Sequence, residues 1–182
     1  MKRACLTVML LAALSGTASA NGYLGLGIGT SPAMSETPDR LEADGRSLKA
    51  LVGTRIGQVS IEGSLGGYGT LLENQVGDYV SYGTAYQAAL AAKVSLPLGS
   101  GFEVFGKGGL HHSWISADRN EEKDVSGNGL LLGAGFEYRF NAGVAGASLF
   151  IDYQYSKQNL TGDTLHFDGN TRVWTLGFTV GI

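Results

Sequence analysis

The sequence predicts an all-β fold: an eight-stranded antiparallel up-and-down transmembrane barrel, with short turns at one end and four longer loops at the other. Three observations carry that expectation. Apolar residues recur at every second position through eight separate segments, the period of a strand with one greasy face. The connections between those segments alternate between short and long. Every charged residue inside them falls on the face opposite the apolar one.

The first twenty residues stand apart. MKRACLTVMLLAALSGTASA opens on Lys2 and Arg3, runs mostly apolar from 4 to 15, and ends on Ala18, Ser19 and Ala20. A charged start, an apolar middle and a small-residue end mark a secretory signal peptide cut after Ala20. The apolar run is well below the ~20 residues that a spanning helix needs. The expected division is therefore a signal peptide over 1–20 and a barrel domain over 21–182. Cys5, the one cysteine, lies in the first segment, so neither a disulfide nor thiol chemistry is expected of the mature chain. With Lys2 and Arg3 removed, the 13 basic residues become 11 against 16 acidic ones, a net of −5. Such a balance argues against nucleic acid as a partner. No apolar run of helix length follows, which is how a barrel reads when its strands are apolar only at alternate residues.

Glycine makes up 29 of 182 residues, about twice the ordinary ~7%. The glycines sit inside alternating segments, as in GYLGLGIGT. Glycine weakens a strand unless space is short or the sheet must bend, so a tightly curved sheet is expected.

In chain order, the first strand spans about 22–30, with Leu24, Leu26 and Ile28 on one face and Tyr23, Gly25, Gly27 and Gly29 on the other. The second, about 47–56, sets Leu48, Ala50, Val52 and Ile56 against Lys49, Gly53 and Arg55. The third, about 59–69, sets Val59, Ile61 and Leu65 against Ser60, Glu62, Ser64 and Tyr68. In the fourth, about 84–96, Tyr86, Ala88, Leu90, Val94 and Leu96 oppose Gln87, Ala89 and Lys93. The fifth, about 102–115, has Phe102, Val104, Leu110 and Trp114 against Glu103, Lys107, His111 and Ser113. In the sixth, about 129–140, Leu130, Leu132, Phe136, Tyr138 and Phe140 oppose Gly133, Gly135, Glu137 and Arg139. The seventh, about 147–156, sets Leu149, Ile151, Tyr153 and Tyr155 against Ser148, Asp152, Gln154 and Ser156. The eighth is the closing VWTLGFTVGI, where Trp174, Leu176, Phe178, Val180 and Ile182 alternate with small residues. Each is close to the ~9–11 residues that cross a bilayer at a tilt.

The short connections are GQ, PLGSG and NAGVAG; the long, polar ones are residues 31–46, 70–83, 116–128 and 157–171. A barrel of the outer membrane sorts its loops in this way, with both chain ends on the periplasmic side. Lys49, Arg55, Glu62, Lys93, Glu103, Lys107, Glu137, Arg139 and Asp152 lie opposite the apolar stripe. A charge facing lipid would cost a few kcal/mol at the bilayer centre, so these nine belong inside. An eight-stranded barrel is just wide enough for its own side chains, and five bases among four acids nearly neutralise one another. A paired interior network, a plug, is expected in preference to a narrow small-solute channel.

VGTRIGQVSIEGSLGGYG resembles the second hairpin unit of the small OmpA/OmpX-type outer-membrane barrels, with its inward arginine, short turn and inward glutamate. FEVFGKGGL resembles the following strand with its buried lysine, and GLLLGAGFEYRFN with ASLFIDYQYS is similar to the sixth and seventh strands of that family. The resemblance implies a Gram-negative-type outer membrane, insertion by the barrel-assembly machinery and no enzymatic activity. Members usually end on an aromatic residue, whereas this chain ends on Ile182; that departure implies slower assembly.

Two candidate chemistries remain. In GLHHSW, His111 and Ser113 form an H-x-S pattern resembling that of the outer-membrane lipid A 3-O-deacylases. A His activates a Ser for acyl transfer when an acid orients it and an oxyanion hole is present. Trp114 stands where that family has Asn, parity points His111 and Ser113 inward, and the nearest acids, Glu121 and Glu122, lie in a loop. No catalytic role is expected. Adjacent His111 and His112 face opposite ways on a strand, and no metal-ligand spacing stands out. No cofactor is expected.

Function then falls to the loops. SPAMSETPDRLEADGR and SADRNEEKDVSGNG each carry four acids and two bases, suited to a host or surface ligand or to bridging through divalent cations to lipopolysaccharide. An aromatic belt at the lipid interfaces is expected from Tyr86, Trp114, Tyr155 and Trp174 on the loop side and Phe140 on the turn side. The expected protein is a monomer in contact with outer-membrane lipid.

Overall fold

Alternating polarity becomes a wall with two surfaces. In the computed structural model, residues 21–35, 41–73, 79–117, 125–140, 146–161 and 166–182 are described; the expected signal peptide lies outside them. The strands are β1 (Asn21–Gly29), β2 (Ala33–Ser35), β3 (Leu41–Ile56), β4 (Val59–Glu73), β5 (Tyr79–Gly99), β6 (Phe102–Ala117), β7 (Val125–Phe140), β8 (Ala147–Thr161) and β9 (His166–Gly181). Each of the eight long strands pairs antiparallel with the next, and β9 returns to β1 from Gly29↔Thr175 to Tyr23↔Gly181. Closure satisfies the backbone groups of both terminal strands, which hydrocarbon requires. The short β2 continues beyond β1 and pairs Ala33–Ser35 with Asn170–Arg172.

Parity sets the direction of each side chain. On β6, Leu110 is 66% exposed and its neighbour His111 only 4%. Closing the wall therefore hides the odd positions of that strand and presents the even ones to lipid. On β9, Trp174, Leu176, Phe178 and Val180 are exposed while Thr175 and Thr179 are buried.

Gly57 and Gln58 make the turn from β3 to β4, with Gly57 at φ 63°. Between β5 and β6 the turn is tighter than PLGSG suggests: Pro97 and Leu98 remain in the strand, and Ser100 and Gly101 turn the chain at φ 52° and 85°. Of NAGVAG, residues 141–145 lie outside the described residues. At the opposite end the strands run further than alternation indicates. β4 continues to Glu73, β6 to Ala117 and β8 to Thr161, while β5, β7 and β9 begin at Tyr79, Val125 and His166. These extensions take up much of the segments expected as connections. At 15–21 residues, β3 to β9 exceed what a ~30 Å hydrocarbon layer requires, so their loop-side ends stand beyond it.

Candidate functional site

The barrel interior holds the chemistry. A lipid-facing wall sends Glu62, Glu103, Glu137 and Asp152 inward, and the small bore brings the charged side chains within reach of one another. All nine wall charges meet there, in two groups. Nearer the turns, six ions alternate in sign. Arg55 grips Glu103 with two nitrogens at 2.8 and 3.1 Å. Arg139 stands 3.4 Å from both Glu103 and Glu137. Lys93 then bridges Glu137 at 2.7 Å and Glu62 at 3.2 Å. Tyr23 ends the chain by donating its hydroxyl to Glu62 at 2.6 Å. Further towards the loops, Asp152 accepts from both Lys49, at 2.9 Å, and Lys107.

Between the two groups lies an apolar layer that the strand pattern did not reveal. Leu51, Phe105 and Phe150 point inward from β3, β6 and β8 and pack together, with Tyr23 against them. A second small cluster joins Ala89, Ala91 and Leu131. The glycines make room for these rings. A Cβ at Gly135 would fall 2.6 Å from Phe105 Cζ, and one at Gly133 the same distance from Lys107 Cε. Gly53, opposite Tyr23 across the β1–β3 ladder, lies beneath its ring. Only a residue without a side chain lets an aromatic lie flat across its neighbour, as happens on curved sheets.

Above Asp152 the interior is amide and hydroxyl. Lys49 also donates to Gln154 at 3.0 Å, Gln154 donates to Gln87 at 2.6 Å, and Gln87 donates to Ser156 at 3.2 Å. His111 and Ser113 belong to this layer. His111 Nε2 donates to the Lys157 carbonyl at 2.9 Å, which leaves Nδ1 to accept from Ser113 Oγ at 3.1 Å. The pair has the tautomer of a general base and its hydroxyl, but the orienting group is a carbonyl on β8, and both side chains are buried within the bore. Glu121 and Glu122 lie outside the described residues. His112 faces the other way, bonded to Asn128 at 2.9 Å and stacked on Trp114. Among the described residues no three of His, Cys, Asp or Glu come together as a metal site would need.

The aromatics gather at two levels of the outer wall. At the loop side Tyr86 stacks on Trp114 with centroids 5.6 Å apart, Trp174 meets Tyr153 at 4.8 Å, and Tyr155 donates to Asn170 at 2.6 Å. At the turn side Phe140 meets Tyr138 edge-on at 4.8 Å, and Tyr138 meets Phe102 at 4.6 Å. Tyr153, Tyr138 and Phe102 join these clusters because the ladder sets them opposite another aromatic, a neighbour relation invisible along a single strand.

The family model of the outer membrane protein beta-barrel domain matches residues 3–181. The chain belongs to this outer-membrane β-barrel family. Members of the outer membrane protein beta-barrel family reside in the outer membrane of Gram-negative-type cells, and so does this chain. Among curated protein sequences none matches it. Solved structures share the barrel. Neisserial surface protein A, NspA, has a TM-score of 0.67 at 15% identity, covering 91% of this chain and 99% of that one. Ail, the attachment invasion locus protein of Yersinia pestis, has a TM-score of 0.59 at 17% identity, covering 90% and 99%. The N-terminal β-barrel domain of Pseudomonas aeruginosa OprF has 0.54 at 16%, covering 89% and 98%. At such identities the likeness is one of fold.

Proposed function

We propose that this barrel is a sealed, monomeric scaffold that holds its loops at the cell surface for a structural or adhesive role, and neither conducts solutes nor modifies lipid. The observation that carries the reading is the set of side chains lying across the bore: beyond a cavity of about 560 Å³ at the turn end stand a six-ion chain, an apolar layer and the Lys49–Asp152–Lys107 group. A wall closed within leaves the loop end as the part free to act. Tyr86, Trp114, Tyr155 and Trp174 on one side and Phe140 on the other act as belts that fix the depth of the barrel in lipid, and the barrel-assembly machinery places it there. Ail, a neighbour in fold, is described as an attachment protein, which supports a surface role.

The test is adhesion of cells expressing the chain to host cells or to a neighbouring surface. Deleting residues 118–124 removes four of the loop acids and is expected to abolish the adhesion conferred by the protein while the barrel still folds; unchanged adhesion would refute loop recognition. The enzyme reading is tested separately. Expression of the wild type is expected to leave the mass of lipid A unchanged, as is expression of Ser113→Ala. A mass shift that the substitution removes would make the barrel a deacylase.

A further inference from the structure

The charges inside the bore do not quite cancel. Lys49, Arg55, Lys93, Lys107 and Arg139 meet one acid fewer: Glu62, Glu103, Glu137 and Asp152. The six-ion chain nearer the turns balances, its three bases against its three acids. The excess therefore falls on the loop-side group, where Lys49 and Lys107 share Asp152 through a single oxygen, Oδ2. His111 does not alter the sum, because its Nδ1 accepts from Ser113 and the ring is neutral. The group is also withdrawn from water: the side chains of Lys49, Lys107 and Asp152 are 11%, 5% and 2% exposed. A buried charge without a counter-charge is among the costliest features a fold can carry.

Beside Lys49 lies a space. A cavity of about 40 Å³ is lined by Lys49, Ser64, Gln154, Ser156 and Thr175 and reaches Thr171 towards the loops. About 10–15 Å³ suffices for one water, so the cavity takes one small ion with a water or two. So few waters cannot solvate an ammonium as bulk water does. The lining offers donors instead. An ammonium has three protons, and Lys49 gives two of them to Asp152 and Gln154, at 2.9 and 3.0 Å. Ser156 accepts from Gln87 and Gln154, at 3.2 and 3.3 Å, so its own proton is left to donate. Among the described residues no carboxylate lines the cavity.

We propose that this cavity is a site for one small monovalent anion of the chloride type, held by Lys49 and Ser156, which cancels the excess charge of the Lys49–Asp152–Lys107 group. A doubly charged oxyanion does not suit it, because such an ion would reverse the excess and would exceed the space. The ion comes from the loop end and stops there, since the Leu51, Phe105 and Phe150 layer closes the bore beyond Asp152. It is a resident part of the interior and not a solute in passage. The inference goes beyond the scaffold reading, because it gives the bore a ligand of its own.

The test is urea unfolding of the full chain in lipid vesicles, in sodium chloride or in sodium gluconate at one ionic strength. Fixing the ionic strength separates binding from screening. The midpoint of the wild type is expected to rise saturably with chloride. The folding equilibrium constant should be about tenfold higher once chloride reaches ten times its dissociation constant. Lys107 does not line the cavity, so Lys107→Met removes the excess charge and leaves the space intact; its midpoint is expected to be the same in both salts. Equal midpoints for the wild type would overturn the proposal. So would a chloride effect of undiminished size in Lys107→Met, which would mark an action on the solvent and not on a site. If Lys107→Met does not fold, bromide decides. A wild-type crystal grown in bromide is expected to show anomalous scattering within hydrogen-bond reach of Lys49 Nζ, and no signal there refutes the site. Adhesion through the loops is measured apart from this, so either result stands without the other.

Discussion

Lys93 shows what a buried charge does in this barrel. Its ammonium lies between Glu62 and Glu137, and over the Phe105 ring at 4.4 Å from the centroid. Replacing it by Met leaves Glu62 without a cation and Glu137 with Arg139 alone, 3.4 Å away. Lys93→Met is expected to lower stability by about 3–5 kcal/mol, the usual result of breaking a buried pair from one side. Adding Glu62→Gln and Glu137→Gln removes the orphaned charges and is expected to recover most of the loss. Urea midpoints in lipid vesicles measure both; an unchanged midpoint in Lys93→Met would mean that the six-ion chain contributes nothing. That such a residue faces inward was legible in the sequence, because lipid forbids the other face. Its partners were not. Glu62, Lys93 and Glu137 come from β4, β5 and β7, and which of them meet depends on the stagger of the closed sheet, a quantity that no single strand carries.

At the scale of the strand, β9 displays both regimes of the fold. From Trp174 to Val180 it alternates strictly, since hydrocarbon lies on one side and the polar bore on the other. From His166 to Arg172 it is still paired to β8, yet its sequence does not alternate. No hydrocarbon demands an apolar outer face there, so the ladder hydrogen bonds, with side-chain bonds such as that from Tyr155 to Asn170, hold it without strict alternation. This is why alternation identified eight strands and placed their apolar faces but ended them short of their loop-side limits. The same division predicts how substitutions on β9 behave. Leu176→Arg, within the lipid band, is expected to cost about 2–4 kcal/mol. Arg172→Leu, one turn of the pleat beyond Trp174, is expected to change stability by less than about 1 kcal/mol, with urea midpoints again the measure. Equal effects at the two positions would mean that the hydrocarbon boundary does not lie between them.

For the whole molecule, the order of layers along the bore matters more than the strength of any one. The sequence showed a polar interior and nearly balanced charge, which argued for a plug. It gave no sign of Leu51, Phe105 and Phe150, because an apolar residue on the polar face breaks the pattern that identifies a strand and is passed over as an irregularity. On the sealed reading they make a second obstacle in series with the charge chain. Ions would meet the paired charges first and then an aromatic layer whose apolar lining disfavours water. Neither seal alone is then the gate. In planar bilayers the wild type is expected to show no stable unit conductance. Neither Lys93→Met/Glu62→Gln/Glu137→Gln, which neutralises the core of the charge chain, nor Phe105→Ala/Phe150→Ala, which thins the apolar layer, is expected to open it. Combining the five substitutions removes both obstacles and is expected to give discrete openings, provided the barrel still folds as judged by its heat-dependent electrophoretic mobility. Openings in the first variant would show that water already crosses the aromatic layer, and openings in the second that the ion chain leaves a passage; in either case a single seal would suffice to explain the closed wild type.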